Sequence, residues 1–165
     1  MLHSNVSRDR LNGFTLIESL IVVSIVSILV SIAIPSLLAA QNRAKLRQAQ
    51  EMVVASLQES QREATRRNQS CTLTFDKANN KIQGQGGCLL SGDRNLPSGI
   101  SLDYTGTASG IQYGIRGNTT TNKAIILGIK DNPNPTQCLT VSAPLGIIRL
   151  GSYDSRTDSC EKLNS

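Results

Sequence analysis

The sequence predicts an α+β protein in which one long N-terminal helix packs on a small antiparallel β-sheet. Three observations point to this fold class. Residues 14–40 are almost entirely apolar, residues 41–67 repeat small and apolar side chains at helical spacing, and residues 68–165 contain short runs rich in Thr, Ile, Leu, Val and Tyr between Gly, Asn, Asp and Pro. The last segment has the size of one small domain.

The apolar segment, residues 14–40, has the length and composition of a membrane-spanning helix. Glu18 is its only charged residue. At about 1.5 Å per residue the helix extends roughly 40 Å, which exceeds the ~30 Å hydrocarbon core of a bilayer. The alternative is a secretory signal peptide cut after Ala40, but the apolar core of such a peptide spans only about 7–15 residues. The length therefore favours a membrane anchor.

The polar residues 1–13 precede this segment and include Arg8 and Arg10, whereas no Lys or Arg lies within it. Because basic flanks are retained on the cytoplasmic side, we expect the C-terminal region on the opposite side of the membrane. In a cell with two membranes, the chain is then a single-pass inner-membrane protein with its C-terminal domain in the periplasm.

A motif spans the junction of these segments: Gly13-Phe14-Thr15-Leu16-Ile17-Glu18. It resembles the type IV prepilin signature. The resemblance implies that prepilin peptidase cuts between Gly13 and Phe14, removes residues 1–13 as a leader peptide, and leaves a methylated amine on Phe14. It also implies that Pro35 lies where the helices of type IV pilins kink or melt.

Glu18 is the residue of the apolar segment that most needs an explanation. A carboxylate within a membrane helix costs about 2.5–3.5 kcal/mol at mid-helix, so Glu18 requires a partner. The resemblance implies that this partner is the positively charged N-terminal amine of Phe14 on a neighbouring subunit. Alternatively, Glu18 lies at the interfacial end of the helix and is hydrated among the lipid headgroups. The surrounding motif favours pairing between subunits, and hence a role for Glu18 in assembly.

Residues 41–67 are predicted to continue the same helix, because no Gly or Pro lies within them. Small and apolar side chains recur there at spacings of three and four residues, forming a stripe for a sheet to cover. The stripe consists of Leu46, Ala49, Val53, Leu57, Ser60 and Ala64. Two charge pairs, Glu59 with Arg62 and Glu63 with Arg67, have offsets that stabilise a helix.

Residues 68–165 predict the antiparallel sheet. Six runs have the composition of strands, namely 71–75, 100–104, 111–115, 124–129, 138–141 and 147–150. A hairpin turn is expected at residues 76–81, which include two consecutive asparagines, and exposed loops are expected at 84–87 and 131–135.

The four cysteines, Cys71, Cys88, Cys138 and Cys160, contain no C-x-x-C pair of the kind found in zinc sites. Two disulfides are the better interpretation, and they require an oxidising compartment. The sequence leaves three pairings open. We favour Cys71 with Cys88, which ties the first hairpin to the following loop, and Cys138 with Cys160, which attaches the C-terminal tail to the closing strands. The second pair is also implied by the resemblance, since type IV pilins commonly close a C-terminal loop with a disulfide.

Two further stretches of the sequence resemble one particular family of type IV pilin-like proteins. Residues 63–74 are similar to the helix-to-strand junction of the GspH/FimT family of pseudopilins and minor pilins. Residues 138–150 resemble that family's closing strands around a short turn with Pro and Gly. The resemblance implies the type IV pilin fold, with residues 68–165 as its globular domain.

Some members of this family bind DNA through a C-terminal Gly-Arg-x-Arg motif. The matching positions here are Gly146, Ile147, Ile148 and Arg149. Because isoleucine replaces the first arginine, the candidate DNA contacts are Arg149 and Arg156, with Lys162 as a further cation. Alternatively, Arg149 is a solvated strand residue. The formal charge of +5 is spread along the chain and is mainly a matter of solubility.

No catalytic set emerges, because the only histidine is His3 and the glycines at 84–87 lack the context of a phosphate loop. We therefore expect neither an enzyme nor a cofactor or metal. The expected function is that of a minor pilin or pseudopilin, a structural subunit of a type IV pilus or type II secretion pseudopilus. Its partners would be other pilin subunits, prepilin peptidase and inner-membrane lipid. The alternative is a binding module at a pilus tip, for DNA uptake or surface adhesion.

Overall fold

The computed structural model describes residues 15–106, 109–130, 132–154 and 159–162, except for the side chains of 132–135 and 162. It begins with one long helix, α1 (Leu16–Arg67). The strands that follow are β1 (Cys71–Asp76), β2 (Lys81–Gly84), β3 (Arg94–Asn95), β4 (Ile100–Tyr104), β5 (Gly110–Tyr113), β6 (Lys123–Ile129), β7 (Asn132–Ser142), β8 (Ile147–Asp154) and β9 (Ser159–Lys162). The chain divides into two compact units, Met1–Ala40 and Gln41–Ser165.

The described strands form two antiparallel sheets rather than the single sheet that the sequence predicts. One sheet has the order β3-β2-β1-β5, and the other has the order β4-β6-β7-β8-β9. β4 follows β3 in the chain, yet it pairs with β6, so the chain changes sheets at this point. The prediction of one sheet was wrong because composition and alternation mark strands and their buried faces, whereas pairing depends on residues far apart in sequence.

One hydrophobic core holds the unit Gln41–Ser165 together. The stripe predicted on α1 is confirmed, since all six of its members are buried. Its apolar members lie in the same cluster as Leu73 and Phe75 of the four-stranded sheet and Leu127 and Leu139 of the five-stranded sheet. Burial of each large apolar side chain in this cluster stabilises the fold by about 1.5–3 kcal/mol. The helix and both sheets therefore share a single core, and the predicted α+β class is confirmed.

The predicted turn between β1 and β2 is confirmed at residues 77–80. Asp76 Oδ1 accepts the backbone N–H groups of Ala78 and Asn79 at 2.9 and 3.0 Å, and Asn80 adopts a φ of 49°. The side-chain amide of Asn79 is the main reason why the pKa of Asp76 lies below its ordinary value. These contacts close a turn of the type that Asx residues favour.

Other predicted boundaries differ from the structure. β5 ends at Tyr113 instead of residue 115, because Gly114 N–H bonds to Asn118 O at 2.7 Å and turns the chain. Residues 132–135, predicted as a loop, form the start of β7. Two prolines fit there because the regular pairing of β7 with β6 is interrupted between Asn132 and Gln137. At 84–87, Gly84 ends β2 and Gln85–Gly87 form a 3₁₀ turn.

Candidate functional site

The N-terminus of α1 is capped by its own motif residues. Thr15 Oγ1 accepts the backbone N–H of Glu18 at 3.3 Å, and the Thr15 hydroxyl donates to Glu18 Oε2 at 3.3 Å. This is a variant of the capping box, in which a Ser or Thr at the N-cap and a Glu three residues later satisfy each other. The Thr-x-x-Glu spacing was visible in the sequence, but the sequence analysis missed it. Glu18 thus has a partner within its own chain.

Glu18 remains open to a second partner. Its side chain is exposed, and a carboxylate has two oxygens with about four lone-pair positions, of which the Thr15 hydroxyl uses one. Gly13 and Phe14 lie outside the described residues, so pairing of Glu18 with the amine of Phe14 stays a prediction. The capped helix leaves a carboxylate oxygen available at the end of α1 where that amine would be needed.

The unit up to Ala40 presents an apolar surface around the whole described part of its helix. Every large hydrophobic side chain from Leu16 to Leu38 is exposed. By its length and composition, α1 is long and apolar enough to cross a membrane. The serine hydroxyls are internally satisfied, since Ser24 and Ser27 donate to the carbonyls of the preceding turn at 2.8 and 2.7 Å. Such a surface suits lipid or the apolar helices of neighbouring subunits.

Pro35 lies within α1, which continues as a helix on both sides of it. The helix is therefore continuous across Pro35 in this structure, and a kink or melting at this position stays a prediction. Proline has no N–H, so the carbonyl of Ser31, four residues earlier, lacks its usual helical donor. The Ser31 hydroxyl donates to Ile28 O at 2.7 Å.

All four cysteines form disulfides in the two pairs that the sequence analysis favoured. Cys71 of β1 bonds to Cys88 with a Cα–Cα distance of 5.5 Å, and Cys138 of β7 bonds to Cys160 of β9 at 5.9 Å. The second bond passes over β8, which lies between β7 and β9. Gly151 is the residue beneath it, because a Cβ there would lie 3.0 Å from Cys160 Sγ.

The charge pairs at the end of α1 differ in part from those predicted. Glu63 binds Arg67 as predicted, at 2.9 Å, and also binds Arg66 through two hydrogen bonds of 2.9 and 2.7 Å. The hydrogen bond from Arg66 contributes most to a pKa of Glu63 below the ordinary value. Glu59 was predicted to bind Arg62. This prediction was wrong, because Glu59 binds residues outside the helix.

Glu59 turns instead toward the segment before β3. Its Oε2 forms an ion pair with Arg94, and its Oε1 accepts the backbone N–H of Leu90 at 2.7 Å. Glu59 and Arg94 are partly buried, so breaking the pair costs more free energy than breaking a fully exposed helical pair would. Arg62 is left without an ion-pair partner among the described residues.

Among the candidate DNA-contact residues, Arg149 is the one whose side chain the structure describes. Arg149 is exposed on β8 and faces away from the core, since it pairs with Thr140, between the buried Leu139 and Val141 of β7. Arg156 lies outside the described residues. The structure therefore shows Arg149 as an exposed strand residue.

Gly146 of the same stretch has a structural role. It adopts a φ of +67°, and a Cβ there would lie 2.9 Å from Tyr113 Cε1 and 3.2 Å from Gln61 Nε2. Tyr113 is fully buried, and its burial raises the pKa of the phenol to about 12. A side chain at Gly146 would therefore press against the ring of Tyr113, which is itself enclosed by the core.

We expect Gly146→Ala to lower the free energy of unfolding by more than the ~1–2 kcal/mol cost of a left-handed alanine. Gly92→Ala is the matched control, because Gly92 has a φ of +75° and no atom within 4 Å of its built Cβ. Urea unfolding followed by tyrosine fluorescence measures both variants. Equal losses would show that Gly146 is needed for its backbone angle alone and that the contact with Tyr113 costs nothing.

Comparisons with known proteins agree with the N-terminal motif and with the fold. Residues 8–34 match the family model described as the prokaryotic N-terminal methylation motif. No curated protein sequence matches the chain. Among solved structures, the type IV minor pilin FimU of Pseudomonas aeruginosa aligns with a TM-score of 0.54 and 16% identity, over 66% of this chain and 89% of that one.

A second group of structures comes from a secretion system. The minor pseudopilin EpsH of the Vibrio cholerae type II secretion system aligns with a TM-score of 0.51 and 14% identity, over 66% of this chain and 96% of that one. At such identities the likeness establishes the fold alone. The chain therefore carries the prokaryotic N-terminal methylation motif and has a fold similar to those of the minor pilin FimU and the minor pseudopilin EpsH.

Proposed function

We propose that the chain is a minor pilin or minor pseudopilin, a structural subunit of a type IV pilus or a type II secretion pseudopilus. The observation that carries the proposal is the methylation motif at residues 8–34, which includes most of the exposed apolar part of α1 in a chain whose fold is similar to that of a minor pilin. Such a helix needs lipid before assembly and neighbouring helices after it. This arrangement supports a structural role.

In this proposal, prepilin peptidase removes residues 1–13, and residues 14–40 anchor the subunit in the membrane and then form the filament core. The amphipathic residues 41–67 and the globular residues 68–165 lie outside the membrane. The globular unit faces the periplasm, where its two disulfides are stable. The partners are other pilin or pseudopilin subunits. Glu18 pairs with the N-terminal amine of a neighbour during assembly.

We expect the mature chain purified from its native membrane to begin at Phe14 with a methylated amine. Cleavage after Gly13 removes the leader, and methylation keeps the amine positively charged as a partner for Glu18. Intact-mass measurement and N-terminal sequencing test this directly. The same protein should be recovered in sheared surface filaments or in pseudopili. An uncut chain that begins at Met1, or a mature chain that begins at Gln41, would contradict the proposed function.

A further inference from the structure

A groove of about 630 Å³ between the end of α1 and the turn after β5 carries concentrated positive charge. Its lining consists of Gln58, Gln61, Arg62, Thr65, Arg66, Arg116 and Gly117. Three of these residues are arginines, and none of these described lining residues is acidic. Arg149, the predicted DNA contact whose side chain the structure describes, is not part of the lining.

The charge of the groove results from the ion pairs around it. Glu59 is bound to Arg94, so it does not neutralise Arg62. Glu63 is shared between Arg66 and Arg67, so these three residues together keep one positive charge. In the part of the chain that the structure describes, Arg62 and Arg116 have no ion-pair partner. The groove and its immediate surroundings therefore carry a charge of about +3 for nearby anions.

The turn that bears Arg116 is fixed against α1. Gln61 Nε2 donates to Gly117 O at 2.8 Å and to Leu145 O at 3.3 Å. Gly117 has a φ of +73°, and a Cβ there would lie 3.1 Å from Gln61 Cγ, so glycine allows the close approach. The backbone beside Arg116 is thus positioned before any ligand binds, which lowers the entropy cost of binding.

The lining indicates the kind of ligand. Interfaces between proteins are centred on aromatic or large aliphatic anchors in apolar pockets, and no such side chain lines this groove. Arginine forks match phosphate oxygens, and an amide group such as that of Gln58 also binds phosphates. We propose that the groove binds the phosphodiester backbone of a nucleic acid without reading its sequence. This proposal does not rest on filament assembly.

The test uses the full processed chain in nonionic detergent and a fluorescein-labelled DNA duplex of arbitrary sequence. Fluorescence anisotropy gives the affinity at several salt concentrations. Removing two phosphate contacts with Arg62→Ala and Arg116→Ala should lower the affinity about tenfold or more at low salt and reduce the salt slope by about 2. The control is the double variant Lys45→Ala and Lys130→Ala, which removes two exposed charges outside the groove. It should change the affinity by much less.

Unchanged DNA binding by the groove variant, or equal losses in both double variants, would overturn the proposal. Polyglutamate of matched charge is the second probe. If it binds to the groove and the DNA does not, the groove serves an acidic protein partner and the phosphate assignment is wrong. Unfolding by urea confirms that both variants are folded, so a loss of binding is not a loss of structure.

Discussion

Replacing Glu18 with alanine is expected to remove the chain almost completely from filaments while leaving its C-terminal unit folded. In the proposed assembly, the variant leaves the amine of a neighbouring subunit without a counter-charge among apolar helices. Breaking a buried ion pair by removing one partner costs about 3–5 kcal/mol, far more than tenfold in incorporation. Glu18 is exposed in the subunit and lies outside the unit Gln41–Ser165, so urea unfolding of that unit should not change.

Thr15→Val separates the two roles that Glu18 can have. The variant removes the hydroxyl that caps α1 and binds the carboxylate, but it keeps the shape of the side chain and the charge of Glu18. If pairing between subunits matters, the Thr15 variant assembles close to wild type and the Glu18 variant does not. Equal losses in the two variants would mean that Glu18 acts by capping the helix. Wild-type recovery of the Glu18 variant in sheared filaments would refute the pairing.

The second large effect is expected for Gly151→Ala, which should destabilise the C-terminal unit by about 3 kcal/mol. A Cβ at Gly151 would lie 2.1 Å from the backbone oxygen of Glu161 and 3.0 Å from Cys160 Sγ. Overpacking typically costs about 1–3 kcal/mol, and the upper end applies because the clash is with backbone. β9 has to shift away from β8, which breaks part of their ladder.

Gly128→Ala is the matched control in the same sheet. Its built Cβ meets only the hydroxyl of Ser101 at 3.0 Å and a methyl of Thr136 at 3.3 Å, and both side chains can adjust. Urea unfolding followed by tyrosine fluorescence measures stability, and hydrogen exchange of the β9 amides reports the ladder. If the two variants lose the same small amount of unfolding free energy, β9 does not lie as close to β8 as described.

The sequence predicted the long helix and its buried stripe because both depend on local periodicity. It predicted the turn at residues 77–80 because Asx chemistry is local as well. It did not predict two sheets, and it missed β2, β3 and β9. Two-residue β3 and four-residue β9 carry too few alternating positions to be recognised. Their pairing is decided by distant partners and, for β9, by the bond between Cys160 and Cys138.

The functional residues too were predicted where the signal is local in the sequence and missed where it depends on distant residues. The methylation motif was evident because all its residues are contiguous. The capping role of Thr15 was present in the Thr-x-x-Glu spacing. It was missed because Glu18 was interpreted only through its need for a positively charged partner. Arg116 gave no signal, since its position next to Arg62 depends on a turn held by Gln61 across 56 residues. Glu59 was assigned to a helical neighbour because local offsets cannot show a partner such as Arg94, 35 residues away.

The disulfide that passes over β8 also determines how the C-terminal unit carries a mechanical load. Tension that enters the chain beyond Cys160 is transferred through the sulfur atoms to β7, a central strand, without extending the 22-residue span back to Cys138. That span would otherwise lengthen to roughly 75 Å when pulled straight. The hydrogen bonds of β8 with both neighbours are thus shielded from such a pull. A subunit in a filament under traction would keep its closing strands in place until a reductant opened the bond.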